Sequence, residues 1–128
     1  MTGTAKKNAS DVRTFERLLR KADYSPQTYE EWALLDKIDQ GTAIVAAINI
    51  AEKQNGDEYP NDWFPNFVNS IQRVFREKER QIWRQKLMSR EWTEKDVPKP
   101  WDWQNDIVLE PVRDAVDKKM QNSYTNGT

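Results

Sequence analysis

Four arginines spaced about one helical turn apart could bind phosphates or carboxylates. If residues 67–88 form an α-helix, then Arg73, Arg76, Arg80 and Arg84 fall within an arc of roughly 80°. A guanidinium group offers a planar fork of N–H donors that matches both anions, so this face could hold a nucleic-acid backbone. The alternative is that the arginines face water, or pair with carboxylates of this chain or of a neighbouring copy, such as Glu30, Glu31, Asp102 and Asp106.

Tryptophan is the second residue type that points to binding. Interface hot spots favour Trp and Arg, and exposed indole rings also stack on bases. Three tryptophans follow the arginines in or beside a proline-rich stretch, where they either face a partner or fold back as a lid on the helix. The predicted interaction surface is Arg73, Arg76, Lys78, Arg80, Trp83, Arg84, Trp92, Trp101 and Trp103. The loop before the helix has two candidate anchors, Trp63 and Phe64.

The apolar side of the same helix is interrupted by one charge. Phe67, Val68, Ile71, Val74, Phe75 and Ile82 share an arc of about 120° opposite the arginines, and Lys78 falls inside that arc. An apolar stripe broken in this way suits a partner that supplies a carboxylate, or a helix end that projects from the core.

Enzymatic chemistry has few candidate groups. The chain has no cysteine and no histidine, which excludes disulfides, thiol nucleophiles, histidine bases and most transition-metal sites. The carboxylate pairs do not match the spacing of a calcium loop, and there is no glycine-rich phosphate loop. We therefore expect a non-enzymatic protein with no catalytic residue, no cofactor and no metal.

Composition favours a single helical domain. The chain has 128 residues, of which 37% are hydrophobic and 32% charged, as expected of a thin domain with solvated faces or of one that completes its core on another subunit. The longest apolar run, residues 43–51, contains Asn49 and falls far short of the roughly 20 residues that a membrane span needs. We expect a cytoplasmic protein, or one inside a virion, with no membrane partner.

Charge alternates in blocks along the chain although the net charge is only −1. Residues 1–27 and 73–90 are basic, whereas residues 28–62 and 91–117 are acidic. Such blocks indicate segments that pair with each other or with a second copy. The overall balance speaks against a nucleic-acid partner, and the local basic block leaves it open.

Apolar spacing and capping signals predict the helices. The first begins at Ser10, and Thr28 with Glu31 forms a capping box for the second, which carries Trp32, Leu35 and Ile38 on its apolar face. A buried helix follows over residues 42–54 with Asn55–Gly56 as its C-cap, the alternative being a strand and a hairpin turn. A long helix covers residues 66–89, and Glu110–Pro111 begins the last.

These elements predict an all-α bundle of four to five helices. Its long amphipathic helix lies around residues 67–88 and is followed by an irregular segment rich in proline and tryptophan. Residues 11–121 form the domain, between a flexible N-terminal arm over residues 1–10 and a flexible tail over residues 122–128.

A set of short motifs resembles small uncharacterised proteins of Bacteroidota genomes and their phages. The motifs are Thr14-Phe15-Glu16, Ile50-Ala51-Glu52, Asn55, Pro60, Trp63, Asn69 and Gln72, and they cover residues 12–75. The insert at residues 57–59 departs from that pattern, and the basic helix replaces a tyrosine-rich stretch. The resemblance implies a phage or mobile-element origin and carries no activity.

The predicted function is a protein–protein interaction or assembly module, such as a virion component or a host-factor binder. Its partner is another protein, a second copy of the chain, or both. The alternative is a nucleic-acid-binding accessory protein that uses the arginine face together with Lys6 and Lys7.

Overall fold

Apolar residues recur at helical spacing along most of the chain, and the structure is helical accordingly. A computed structural model describes the backbone of residues 3–126 and the side chains of residues 5–121. Within that part there is no strand, and the all-α prediction is confirmed. The α-helices are α1 (Gly3–Lys21), α2 (Tyr29–Ala33), α3 (Lys37–Ile50), α4 (Trp63–Met88) and α5 (Glu110–Asn126), with short 3₁₀ helices at Glu94–Asp96 and Ile107–Leu109.

Side-chain caps set the bounds of α2 and α3. The Thr28 hydroxyl accepts a hydrogen bond from the Glu31 backbone N–H at 3.3 Å, which is one of the two hydrogen bonds of the predicted capping box. The Asp36 carboxylate caps α3 by accepting from the Asp39 N–H at 2.9 Å, so α3 begins earlier than the predicted residue 42.

The prediction that α3 ends at an Asn55–Gly56 cap is wrong, and so is the hairpin alternative. The helix ends at Ile50, and Asn55 instead starts a local turn in which its side-chain oxygen accepts from the Asp57 N–H at 3.0 Å. Gly56 supplies the positive φ of 88° that this turn requires.

Helix α1 begins at Gly3, before the predicted start at Ser10. Contacts with α4 explain the difference, because the Lys7 ammonium bonds Asp11 at 2.7 Å and Ser70 at 3.3 Å, and the Asn8 side-chain oxygen accepts from Arg73 at 3.3 Å. At the other end, α5 continues to Asn126 through part of the predicted tail. Residues 1, 2, 127 and 128 lie outside the described backbone, and the flexibility of both ends stays a prediction.

The core is built around the aromatic ring of Trp32. Its centroid lies 5.4 Å from that of Phe15, 5.6 Å from that of Phe75 and 6.1 Å from that of Trp101, each pair packed edge to face. Helix α3 lies between α1 and α5, and Gly41 lets it approach the 3₁₀ turn before α5, since a Cβ there would lie 3.2 Å from a Leu109 methyl carbon.

One buried polar side chain, that of Gln40, joins the two central tryptophans. Its oxygen accepts from the Trp101 indole N–H at 3.1 Å, and its amide donates to the carbonyls of Trp32 and Ala33 at 3.4 and 3.3 Å. The Gln40 backbone carbonyl accepts from the Trp32 indole N–H at 3.0 Å. Every polar atom that these three side chains bring into the core is therefore satisfied.

We expect Gln40→Leu to lower the free energy of unfolding by about 1–3 kcal/mol, because the Trp101 indole N–H loses its buried acceptor. Chemical denaturation followed by tryptophan fluorescence would measure this loss. The double variant Gln40→Leu with Trp101→Phe should lose less unfolding free energy than the sum of the two single losses, since both substitutions remove the same hydrogen bond. Full additivity would contradict the coupling. Thr42→Val, on the exposed face of α3, is the control and should cost little.

Candidate interaction surface

Helix α4 has two halves with different surroundings. Phe67, Val68 and Ile71 in the first half are fully buried, and Phe75 packs against the core from its edge. In the second half Ile82 is 43% exposed, Leu87 37% and Met88 77%. The predicted apolar stripe is therefore real, but only its first half meets the bundle.

The chain beyond Glu79 forms a projection, which we define as residues 80–100. After α4 ends, the chain turns back along the helix: the Trp92 N–H donates to the Lys86 carbonyl at 3.1 Å, and the Lys86 ammonium lies 4.7 Å from the centre of the Trp92 ring. Among the described residues, the core and the side chains packed against it include none from this segment. The projection thus corresponds to the helix end outside the core that Lys78 indicated.

Surface area agrees with this shape. The chain exposes 8423 Å², whereas a compact monomer of 15.2 kDa exposes about 7,100 Å². The projection is one source of the excess, because it adds surface without burying a face against the bundle.

The base of the projection is fixed where the returning chain reaches Trp101. The Trp101 N–H donates to the Glu79 carboxylate at 3.3 Å, and the Arg76 guanidinium donates to the Trp101 carbonyl at 2.6 Å. Two residues on, the Trp103 N–H donates to Gln72 and its indole N–H to Asn69, both at 2.9 Å. Side chains of α4 therefore bind the returning backbone.

Placing Trp101 and Trp103 on an interaction surface was wrong. The two residues are 2% and 5% exposed, and their indole N–H groups both donate to partners within the chain. They form the lid that the sequence left as an alternative. Trp83 and Trp92 remain part-exposed on the projection, and they are the tryptophans available to a partner.

The arginine face of α4 is partly used within the chain. Arg73 donates to Ser70 and Asn8, Arg76 to Trp101, and the exposed Arg80 pairs with Glu77 at 2.7 Å. Among the described side chains, none of the four forms an ion pair with Glu30, Glu31, Asp102 or Asp106. The Asn105 hydrogen bond and, to a smaller extent, the charge of Arg76 lower the pKa of the Asp102 carboxyl. The three from Arg73 to Arg80 line a groove of about 810 Å³ between α1 and α4, and Arg84 and Lys78 are exposed.

The loop before α4 is packed onto the helix by aromatic rings. Trp63 stacks on Tyr59 with centroids 3.7 Å apart and on Phe67 with centroids 4.6 Å apart, while Phe64 is buried. Trp63 and Phe64, predicted as loop residues, therefore belong to the first turn of α4, and Tyr59 is the loop residue that stacks on it.

A second exposed apolar surface, which the sequence did not predict, lies at the turn between α2 and α3. Leu34 is 85% exposed and Ile38 67%, so placing Ile38 on a buried face was wrong. The Lys37–Asp106 ion pair, at 2.6 Å, brings Ile107, which is 74% exposed, to the same side. We call this surface the acidic corner because its exposed carboxylates are those of Glu30, Glu31, Asp36 and Asp39.

The acidic corner lies beside the base of the projection, because Trp101 packs on Trp32 of α2 and its indole N–H donates to Gln40 of α3. Burial raises the pKa of Glu79 despite the opposing effects of the Trp101 N–H, Arg76 and Lys37, the last of which begins α3. Burial and the nearby Glu79 raise the pKa of Tyr29 to about 12. Electrostatic contacts therefore link both sides of the α2–α3 turn to Glu79.

The described part of the chain contains neither a cluster of metal-binding side chains nor a helix that could span a membrane. No group of three or more Asp and Glu side chains there is arranged to hold an ion. None of the described helices has the length and apolar character to cross a bilayer.

No protein-family model matches this chain, and neither a curated protein nor a solved structure matches it significantly.

Glu79→Gln should raise Tm at pH 7 while keeping an oxygen acceptor for the Trp101 N–H. Because the folded-state pKa of Glu79 is raised, wild-type stability is complete below the unfolded value of about 4.3 and falls as pH rises through the folded value. The gain in Tm should accordingly vanish in acid. Calorimetry between pH 3 and 7 tests this, with the exposed Glu30→Gln as a control. A lower Tm for the variant at pH 7 would contradict it.

Proposed function

We propose that this protein is a non-enzymatic assembly module whose projection docks onto the acidic corner of a second copy. The observation that carries the proposal is that residues 80–100 leave the core and expose apolar side chains along a basic helix. A folded chain gains nothing from such a segment on its own, whereas a partner would bury it.

The two surfaces are complementary in chemistry. The arginine side of the projection combines apolar Leu87 and Met88 with the exposed cation of Arg84. The acidic corner combines apolar Leu34, Ile38 and Ile107 with carboxylates. Burial of apolar area supplies about 25 cal/mol per Å², and opposite charges at the rim guide association and fix its register.

The position of the two surfaces favours a closed dimer. Because the corner lies beside the base of the projection, two copies facing each other place each projection on the other's corner. Such a two-fold interface is isologous: the same contact occurs twice, and neither copy keeps an unused surface for further growth. A stable interface of ordinary size buries about 800 Å² on each partner, and the paired contact contributes to that area twice.

Binding of nucleic acid by the arginine face is the less supported alternative. Arg73 and Arg76 donate to groups of this chain, and Arg80 already pairs with Glu77. Only Arg84 of the four has no partner among the described side chains.

Leu87→Asp combined with Met88→Asp should make the protein monomeric, because both substitutions put a carboxylate into the proposed apolar contact. Light scattering over a concentration series would measure the change in mass. The bundle should stay folded by circular dichroism, since the projection contributes no core side chain. A wild-type protein that remains monomeric throughout the series would overturn the proposal.

A mixing experiment separates this arrangement from other dimers. Leu34→Asp with Ile38→Asp should also give a monomer, because it alters the corner alone. Mixing the projection variant with the corner variant leaves one of the two contacts intact, so a mixed dimer should form, more weakly than the wild type. If projections instead paired with each other, the corner variant would dimerise normally and mixing would restore nothing.

A further inference from the structure

A cleft on the other side of α1 is lined by cations. Unlike most arginines of α4, most of them are not bound by described groups of this chain. Arg13, Arg17 and Arg20 line it from the helix, and Lys53 lines it from the chain after α3. The cleft is open to solvent and has a volume of about 710 Å³, within the range of small-ligand sites. We call it the basic cleft; its remaining lining residues are Ser10, Thr14, Gln54, Asn55 and Tyr59.

Among the described residues, no carboxylate lines the basic cleft. Glu52 precedes Lys53, and its hydrogen bond and ion pair with Lys21, together with the charge of Arg17, lower the pKa of the Glu52 carboxyl. Asp57 accepts from the side-chain amide of Asn55 at 3.1 Å. The chain therefore offsets the charge of Arg17 in part, and the described ion pairs include none of the other three cations.

One of the arginines is held in place before any ligand binds. Arg17 donates to the Glu52 carbonyl at 3.0 Å and to the Tyr59 hydroxyl at 2.8 Å, through the same terminal nitrogen. The Tyr59 ring is stacked on Trp63, so this arm of the cleft is attached to α4. The second terminal nitrogen and Nε of Arg17 remain available as donors.

The other three cations have no such internal role. Within the described residues, no carboxylate or carbonyl pairs with the charged side-chain group of Arg13, Arg20 or Lys53. By contrast, Arg73, Arg76 and Arg80 on α4 all bind groups of this chain. Cations held close together without counter-charges repel each other, and an anion that binds among them relieves that repulsion.

We propose that the basic cleft binds a phosphate-bearing ligand through several of its phosphates. Arginine forks match phosphate oxygens, and Ser10, Thr14, Gln54 and Asn55 supply neutral hydrogen-bonding groups at the rim. Because Arg13, Arg17 and Arg20 follow one another along two turns of α1, the cleft suits a row of phosphates rather than one. A nucleotide's phosphate chain and a short nucleic-acid backbone share this chemistry.

Binding of three probes to the full-length protein tests the proposal and identifies the source of the phosphates. Calorimetric titrations would use tripolyphosphate, ATP and a short oligothymidylate at about 50 and 200 mM salt. Saturation by tripolyphosphate or ATP without the oligonucleotide indicates a small phosphorylated ligand. Saturation by the oligonucleotide, with affinity falling steeply in salt, indicates a nucleic-acid backbone. If no probe saturates at the lower salt concentration, the proposal is wrong.

Matched charge removals place the binding in the cleft. Arg13→Gln and Arg20→Gln should each weaken binding of the saturating probe by about tenfold or more, the effect of losing a charge-assisted hydrogen bond. Lys118→Gln removes the same charge from an exposed position on α5, outside the cleft and the projection, and should leave binding unchanged. Equal weakening by all three substitutions would mean non-specific attraction and would overturn the site. Circular dichroism of each variant confirms that α1 is still folded.

Discussion

The hydrogen bond between the Trp101 indole and the buried side chain of Gln40 is the constraint on which the shape of this molecule depends. It holds Trp101 of the returning chain in the core beside Trp32, and the segment that follows α4 outside the core ends there. Arg76 and Glu79 complete the attachment by binding the carbonyl and N–H of the same residue. Because α4 fixes one end of residues 80–100 and Trp101 fixes the other, this segment extends away from the core.

This attachment divides α4 into a structural half and a solvent-facing half. The first half supplies the side chains that bury Trp101 and Trp103, and the second half has no element left to pack against. Apolar side chains that would be core in a larger bundle, such as Ile82 and Met88, therefore stay at the surface. Their exposure follows from topology and explains why the proposed assembly contact lies at this end.

The arginines of α1 and α4 have different roles. On α4, guanidinium groups act largely as internal donors that hold the returning chain and the start of α1. On α1, three arginines line a cleft that has no carboxylate in its described lining, and among the described contacts only Arg17 is engaged by the chain. The same residue type at the same helical spacing thus serves structure in one place and offers a binding surface in another.

The sequence by itself determined that the chain is helical and where some helices begin, because helical spacing and capping are local properties: Thr28 caps α2 and α5 begins at Glu110. One charge within the apolar stripe of α4 left open whether the helix end projects or meets a partner's carboxylate. Arg13, Arg17 and Arg20 also share one face in the sequence, a signal equal to that of the α4 arginines. Only the tertiary structure decided which indoles are buried, which arginines keep free donors, and that Leu34 and Ile38 form an exposed corner. Those outcomes depend on partners distant in the chain, such as Gln40 for Trp101, and spacing along one helix carries no information about them.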